Sequence, residues 1–305
     1  MTEVLVIGSL NADLVVRAPR LPTAGETISG EDLKIIPGGK GANQAVAAAR
    51  QRANVAMVGR VGRDGFGSLL VENLKSDGVD TSHVLRVEAS TGTAIIVVDS
   101  SGQNSIVLSP GANGKISTQD VDALQGDAKI LLLQLEIPLQ TVLHAASWGK
   151  TKGMTVILNP APARDLPDEL ISIVDYLLPN ESELAWLSGL PVDEVPAVES
   201  AARQLLTRGA RNVIVTLGKT GALILNEAMT KHIPSFKVEA VDTTAAGDGF
   251  IGGFASALLN GMDLELAVRY ANACGALTAT KFGSQPSLPR KAEVETFMKQ
   301  ASDAE

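Results

Sequence analysis

At 305 residues the chain has the length of one large α/β unit with an insertion, or of two domains. An apolar fraction of 45% is enough for a sizeable core, and 26 basic against 34 acidic residues, net −8 with no dense basic block, argues against a nucleic-acid surface. Cys274 is the only cysteine, which excludes an intrachain disulfide framework and fits a reducing compartment. His83, His144 and His232 are scattered and have no partner at metal-binding spacing. No basic leader precedes the first apolar run, and no stretch approaches the ~20 apolar residues that span a bilayer. A soluble, cytoplasmic protein without membrane or nucleic-acid partners is expected.

Val4–Ile7 reads as a buried strand that ends in Gly8-Ser9, with Asn11 and Asp13 just beyond it. Ligands of open α/β sheets sit past the carboxyl ends of strands. Asn offers donor and acceptor together and Asp offers acceptors, a combination suited to vicinal hydroxyls and equally to capping a turn. Two short β pieces, Leu14–Val16 and Leu33–Ile36, flank a link with Pro19, Pro22 and Gly25. Pro37-Gly38-Gly39-Lys40-Gly41-Ala42-Asn43-Gln44 then leads into an alanine-rich helix over Ala42–Arg50, its glycines permitting close approach to a ligand. It is neither a dinucleotide fingerprint, lacking the third glycine, nor a P-loop, because Gly41 follows Lys40. By residue type alone, Asn43 and Gln44 are ordinary first-turn residues.

Val55–Val58 is a second strand, and residues 59–67 turn into a helix over Ser68–Asp77 with exposed Arg60 and Arg63. Thr93–Asp99 and Ser105–Leu108 flank Ser100-Ser101-Gly102-Gln103 as a hairpin. Ala94–Val98 is apolar on both faces, as in a strand covered on two sides. From Ile130 strands and helices alternate regularly: strand Ile130–Leu133, helix Leu139–Lys150, strand Thr155–Leu158. That is the pattern of a parallel sheet with crossover helices. Glu136 stands beyond one strand end and Asn159–Ala163 forms a rigid turn beyond the next. Pro179–Glu183 follows another strand; its amide and two carboxylates suit either a hydrated Mg²⁺ or a helix cap. Gly218-Lys219-Thr220-Gly221 lacks the earlier glycine of a P-loop, position 213 being Val213.

An extended-looking run, Phe236–Val241, leads into Asp242-Thr243-Thr244-Ala245-Ala246-Gly247-Asp248-Gly249-Phe250. Phe250, Phe254 and Leu258 then recur at helical spacing. Small residues at 245–247 leave the helix-start N–H groups open to an anion. Asp248 beside that anion serves poorly as a binder and well as a proton acceptor for an attacking hydroxyl; alone, it could equally be a first-turn residue. Gly249, Gly252 and Gly253 imply that something approaches this backbone closely. A further helix over Leu264–Thr280 packs the Cys274 thiol, and Gly283–Ser287 forms a tight loop.

The 242–250 stretch resembles the signature of the ribokinase family of carbohydrate kinases, with Gly249 where Thr, Ala or Ser is commoner. Gly38–Ala45 matches that family's substrate loop at every position, Asn11-x-Asp13 is similar to its sugar-binding entry, and the likeness runs from about residue 3 to 298. The resemblance implies a single α/β domain over 1–305, with a doubly wound, mostly parallel sheet and helices on both faces. It also implies a small β-sheet lid built from insertions at about 14–36 and 92–109. The implied activity is ATP-dependent phosphorylation of D-ribose at its 5-hydroxyl. Asp248 would act as base, with the Ala245, Ala246 and Gly247 amides as the anion hole. Asn11, Asp13, Gly39, Lys40, Asn43 and Glu136 would hold the sugar. Thr216, Gly218, Gly221, Gly247 and Asn272 would meet the nucleotide, with Asn180 and Glu183 acting on Mg²⁺ and phosphates. Asp242, Thr244, Thr278, Lys281, Gly283 and Ser287 would hold K⁺, and two lids would clasp in a homodimer. A kinase for another pentose or for a nucleoside is the alternative in the same class, though a nucleoside base would want an apolar or aromatic slot, which a chain only 3% aromatic disfavours; a non-catalytic sugar sensor would not need an intact base and anion hole.

Overall fold

The computed structural model describes residues 2–100 and 102–302, so Ser101 of the predicted hairpin lies outside the described residues. The strands are β1 (Val4–Ile7), β2 (Asn11–Arg17), β3 (Lys34–Gly38), β4 (Val55–Gly62), β5 (Asp80–Val87), β6 (Gly92–Val98) and β7 (Asn104–Ser109). The second half adds β8 (Ile130–Leu133), β9 (Thr155–Leu158), β10 (Tyr176–Leu177), β11 (Asn212–Thr216), β12 (Gly221–Asn226) and β13 (Thr230–Pro234). Helices α1 (Lys40–Arg50), α2 (Gly65–Ser76), α3 (Thr118–Asp122), α4 (Leu139–Thr151), α5 (Asp168–Ile173) and α6 (Glu181–Ser188) are followed by α7 (Val195–Thr207). The chain closes with α8 (Ala246–Leu259), α9 (Leu264–Ala279), α10 (Ser284–Ser287) and α11 (Lys291–Ser302).

Nine strands form one sheet in the order β13-β12-β11-β10-β9-β8-β1-β4-β5. Pairing is parallel from β11 across to β5, and β12 and β13 close one edge antiparallel. Side chains along β1 alternate between two cores: Val4 and Val6 join the one that holds α1, α8 and α9, and Leu5 and Ile7 join the one that holds α4 and α7. This is the doubly wound, mostly parallel sheet with helices on both faces that the alternating pattern predicts. A second sheet, β3-β2-β6-β7, pairs β2 with β6 in parallel and is otherwise antiparallel.

Several local readings need correction. Asn11 and Asp13 lie within β2, not in a turn. β4 runs on to Gly62 because it pairs with β5, whose mostly polar sequence hid it, so the turn predicted from residue 59 is strand. Arg60 is not a free loop cation: it pairs with Asp120 at 2.7 Å. Residues 236–240 join no sheet; the strand at that edge is β13, just before them. β6 is covered on one face only, with Ala94 and Ile96 buried and Ile95 50% exposed.

The glycines of α8 answer to neighbouring helices. A Cβ on Gly252 would lie 2.4 Å from Ala47 Cβ and 2.8 Å from Ala48 N on α1. One on Gly253 would lie 2.6 Å from Cys274 Sγ, and one on Gly249 would lie 2.4 Å from Thr278 Oγ1, both on α9. Backbone-close packing therefore sets where α8 begins relative to α1 and the sheet. Cys274 is fully packed, and burial pushes its thiol up. Among the described residues no helix is long and apolar enough to cross a membrane.

Candidate active site

The sheet order reverses beside β1, which lies between β4 and β8, so a crevice opens past the carboxyl ends of β1 and β8. From the β1 end, Ser9 Oγ donates to Glu136 Oε2 at 2.5 Å. The same oxygen accepts from Asn11 Nδ2 at 3.3 Å and from the Lys40 backbone N–H at 3.1 Å. Asn11 Oδ1 in turn accepts from Asn113 Nδ2 at 2.7 Å. Glu136 is thus held through one oxygen, leaving the other available to a ligand. Gly39, at φ 87°, caps α1, and a Cβ there would lie 2.6 Å from Asn11 N. This glycine lets the start of α1 approach the backbone of β2 closely.

Asp248 is buried in the first turn of α8. Asn43 Nδ2 donates to its Oδ2 at 2.9 Å and Gln44 Nε2 to its Oδ1 at 3.0 Å. Gln44 Oε1 accepts from Gln134 Nε2 at 2.6 Å, and Gln44 Nε2 lies 3.3 Å from Asn159 Oδ1. Asn159 Nδ2 reaches Leu178 O at 3.0 Å. Asn43 Oδ1 is buried without a partner among the described residues, an acceptor left unsatisfied beside Asp248.

Asp13 is buried opposite, accepting from Ser284 Oγ at 2.8 Å. Burial pushes its carboxyl up to about 7; Glu136 and Asp248 add to the rise, and Ser284 and Lys40 oppose it. Burial likewise raises Glu183. Lys40 is half-buried: burial pulls its ammonium down, but Asp248, Glu136, Glu183 and Asp13 outweigh that and hold it above the usual range. The sugar-side residues named from sequence, Asn11, Asp13, Gly39, Lys40, Asn43 and Glu136, therefore converge with Asp248.

On the other side of Asp248 lies a cavity of about 840 Å³, within the usual size range of small-ligand sites. Asn180, Thr216, Gly218, Gly221, Gly247 and Asn272 all line it, together with Phe236 and Phe250. Glu183 does not: it is buried behind Asn180, and the pair caps α6 reciprocally, with Glu183 N to Asn180 Oδ1 2.8 Å and Asn180 N to Glu183 Oε2 2.9 Å. Asn272 Nδ2 is spent on Ile233 O and Pro234 O, 3.1 and 3.2 Å away, so it fixes the cavity wall. At the cavity's inner end Ala245 adopts φ 61°, and the Ala246 N–H turns back onto Thr243 O at 3.1 Å. The next N–H groups, of Gly247 and Asp248, have no protein acceptor among the described residues and sit at the start of α8. Of the 245–247 set, the Ala246 N–H is thus turned inward, and Ala245 and Gly247, like Asp248, keep N–H groups without a protein acceptor among the described residues.

A buried carboxylate, clamped between a polar basket and a cavity that ends in open amides, is the arrangement of a phosphotransferase acting on a hydroxyl. The sequence matches the model of the pfkB family carbohydrate kinase over residues 1–291. The chain belongs to that family. It is 42% identical to the ribokinase of Haemophilus influenzae, over 97% of this chain and 98% of the relative. It is also 42% identical to the deoxyribokinase of Salmonella typhi, over 94% and 95%. The solved structure of Arabidopsis thaliana ribokinase complexed with ribose and ATP superposes with a TM-score of 0.90 at 35% identity, over 98% of this chain and 99% of that one.

The loops named for a monovalent cation meet in this carbohydrate kinase. Asp242 Oδ1 accepts from Thr244 N and Oδ2 from Gly283 N, both at 2.9 Å. The other named side chains are engaged elsewhere: Thr278 Oγ1 with Cys274 O at 2.8 Å, Ser287 Oγ with Ser284 O at 2.7 Å, and Lys281 Nζ with Glu293 at 2.7 Å. Lys281 can face an ion only through its main-chain carbonyl, whereas Thr278 and Ser287 keep hydroxyl lone pairs as well as carbonyls. Residue types did not single out Ser9, Gln44, Gln134 or Ser284. Gln134 immediately follows β8 and Ser9 stands two residues past β1, so the strand-end rule could have found them; Gln44 and Ser284 carry no such signal.

Proposed function

We propose that this kinase transfers the γ-phosphoryl group of ATP to the 5-hydroxyl of D-ribose. The observation that carries the reading is the placement of Asp248, clamped by Asn43 and Gln44, between the polar basket and the unoccupied amides of Gly247 and Asp248. The sugar oxygen attacks the γ-phosphorus, its proton passes to Asp248, and the bond to the bridging oxygen breaks to release ADP. Asn43 Oδ1, Asp13 and Glu136 accept from the ring hydroxyls. Lys40, coupled to carboxylates on both sides, offsets the charge of sugar site and phosphates together. The fully polar basket supports a pentose over a nucleoside base.

Mg²⁺ fits this reading: among the described residues no cluster of three metal-binding side chains forms a dedicated cage, and Mg²⁺ is usually carried on phosphates and water with one or two carboxylates. Asp248 and Glu183, the latter buried behind Asn180, are the carboxylates at hand, and the ion would offset charge on the transferred group. K⁺ would rest on the carbonyls of the 242–244 and 278–287 loops beside Asp242, adding positive field near the anion site. We read one domain over 1–305 whose small sheet, from about 14–36 and 92–109, is a lid on the sugar. Its outer face exposes Ile35, Ile95 and Val107 in register, with Leu33 exposed just before β3, which supports a homodimer through two lids. The lone, packed Cys274 fits a cytoplasmic enzyme.

The test is ATP consumption with Mg²⁺ on ribose, 2-deoxyribose, fructose and adenosine, each with K⁺ and with Na⁺. Fastest turnover on ribose, dependent on K⁺, supports the assignment. Preference for another acceptor overturns the sugar and keeps the kinase.

A further inference from the structure

Asp13 is the one sugar-side carboxylate that belongs to the small sheet, and its setting is unusually constrained. A Cβ on Gly38 of the paired strand β3 would lie 2.1 Å from its Oδ2 and 2.6 Å from its Oδ1, so the carboxylate lies flat over the bare glycine backbone. From the opposite side Ser284 Oγ donates to Oδ2 at 2.8 Å, across 271 residues of sequence. Both residues are buried, Asp13 at 6% and Ser284 at 2% exposure. Among the described residues this is the hydrogen bond that the Asp13 side chain receives, and Oδ1 is left open.

Ser284 is itself held firmly. The Gly283 N–H next to it donates to Asp242 Oδ2 at 2.9 Å, which ties the segment to the turn before the anion site. On the far side of Gly283, Phe282 packs under the small sheet against the cluster of Val15, Ile36, Ala94 and Ile96. The Arg17 guanidinium and the Lys34 ammonium stand 5.2 and 4.9 Å from its ring centroid, one from each of the strands β2 and β3. Three consecutive residues thus grip the small sheet, the anion turn and the Asp13 carboxylate.

We propose that Ser284 is a positioning residue for the sugar site: it fixes the Asp13 carboxylate over Gly38 so that Oδ1 faces the vicinal hydroxyls of the acceptor, and it latches the small sheet to the catalytic layer. This rests on the sugar-kinase reading above. A carboxylate among Glu136 and Asp248 that loses its donor turns toward whatever solvent or cation it can reach, and the sugar must then reorder it on binding. The effect falls on sugar affinity, because Ser284 touches neither the base nor the nucleotide cavity.

The experiment compares wild type, Ser284→Ala and Ser284→Thr by steady-state kinetics varying ribose and ATP separately, with ribose binding measured by calorimetry and folding by thermal melts. Loss of a hydrogen bond to a charged group predicts that the ribose KM and Kd of Ser284→Ala rise about tenfold while the ATP KM stays within about twofold. Ser284→Thr, which keeps the hydroxyl, recovers most of the loss. Equal weakening of ribose and ATP, or no rescue by Thr, would show a merely structural role and overturn the proposal. So would a folded Ser284→Ala with the ribose constants of wild type while wild type is active on ribose, an outcome that leaves the functional reading intact. Wild type that neither turns over nor binds ribose removes both.

Discussion

Gln44 Nε2 donates to Asp248 Oδ1 at 3.0 Å, one residue along α1 from the Asn43 bond to Oδ2. Consecutive positions on one helix thus hold both oxygens of the carboxylate on another, and Gly252 lets the two helices come close enough for it. Gln44 is anchored by Gln134 in turn, so the clamp extends to the end of β8. Replacing Gln44 with Met removes the donor at similar volume. The expected result is a fall in kcat of about tenfold to a hundredfold with little change in ribose KM, because a misaligned base acts mainly on the transition state. Thermal stability falls too, since Gln134 Nε2 loses its buried acceptor. Initial rates and a melting curve check both.

Asp13 gives a pH signature. Its folded carboxyl titrates near about 7 against an ordinary 3.8, so between those values the folded state holds a proton that the unfolded chain has released. Stability therefore falls as pH rises through that window. Asp13→Asn, always neutral, removes the slope: it should be more stable than wild type by roughly 1–3 kcal/mol near pH 8 and no more stable near pH 4. The same variant loses ribose affinity, and wild-type kcat/KM for ribose rises with pH through the neutral range. Denaturant titrations at several pH values test the first statement, and a pH–rate profile tests the second.

Gly249 occupies a signature position where bulkier residues are commoner, and the reason lies in α9. Its missing Cβ would meet Thr278 Oγ1 at 2.4 Å, and that hydroxyl is tied to Cys274 O. Gly249→Ala alone should cost about 1–3 kcal/mol by overpacking. Paired with Thr278→Ala it should recover much of the loss, a coupling of about 1–2 kcal/mol in a double-mutant cycle.

The exposed face of the small sheet predicts self-association. Val107, 63% exposed on β7, should tolerate Glu in a monomer. In a dimer through two lids, a buried pair of such charges is strongly unfavourable. Val107→Glu is expected to convert a dimer of the wild type into monomers in sedimentation velocity; a wild-type monomer refutes the interface.

Much of this was readable from residue order because period and position coincide with chemistry. β1, β8 and β9 are short apolar runs bounded by turn residues, and the 242–250 stretch places an acid in the first turn of an apolar helix. β5 was missed because a half-exposed edge strand has no apolar run to show. The glycines of α8 mark a close approach in the sequence, but the partners, Ala47, Cys274 and Thr278, can be named only once α1 and α9 are placed. Likewise nothing local marks Gln44 or Ser284. Their partners are 204 and 271 residues away, and only the packing of layers brings them to a carboxylate.

The central claim is that Asp248 is the base that takes the sugar proton. The most direct measurement is the single-site rate of ribose phosphorylation by Asp248→Asn beside wild type, with ribose binding followed calorimetrically in both. The account predicts a fall in kcat of about 10²–10⁴ with ribose affinity within about tenfold of wild type, since Asn keeps the volume and one acceptor. A variant that turns over ribose at close to the wild-type rate while binding it normally would contradict it.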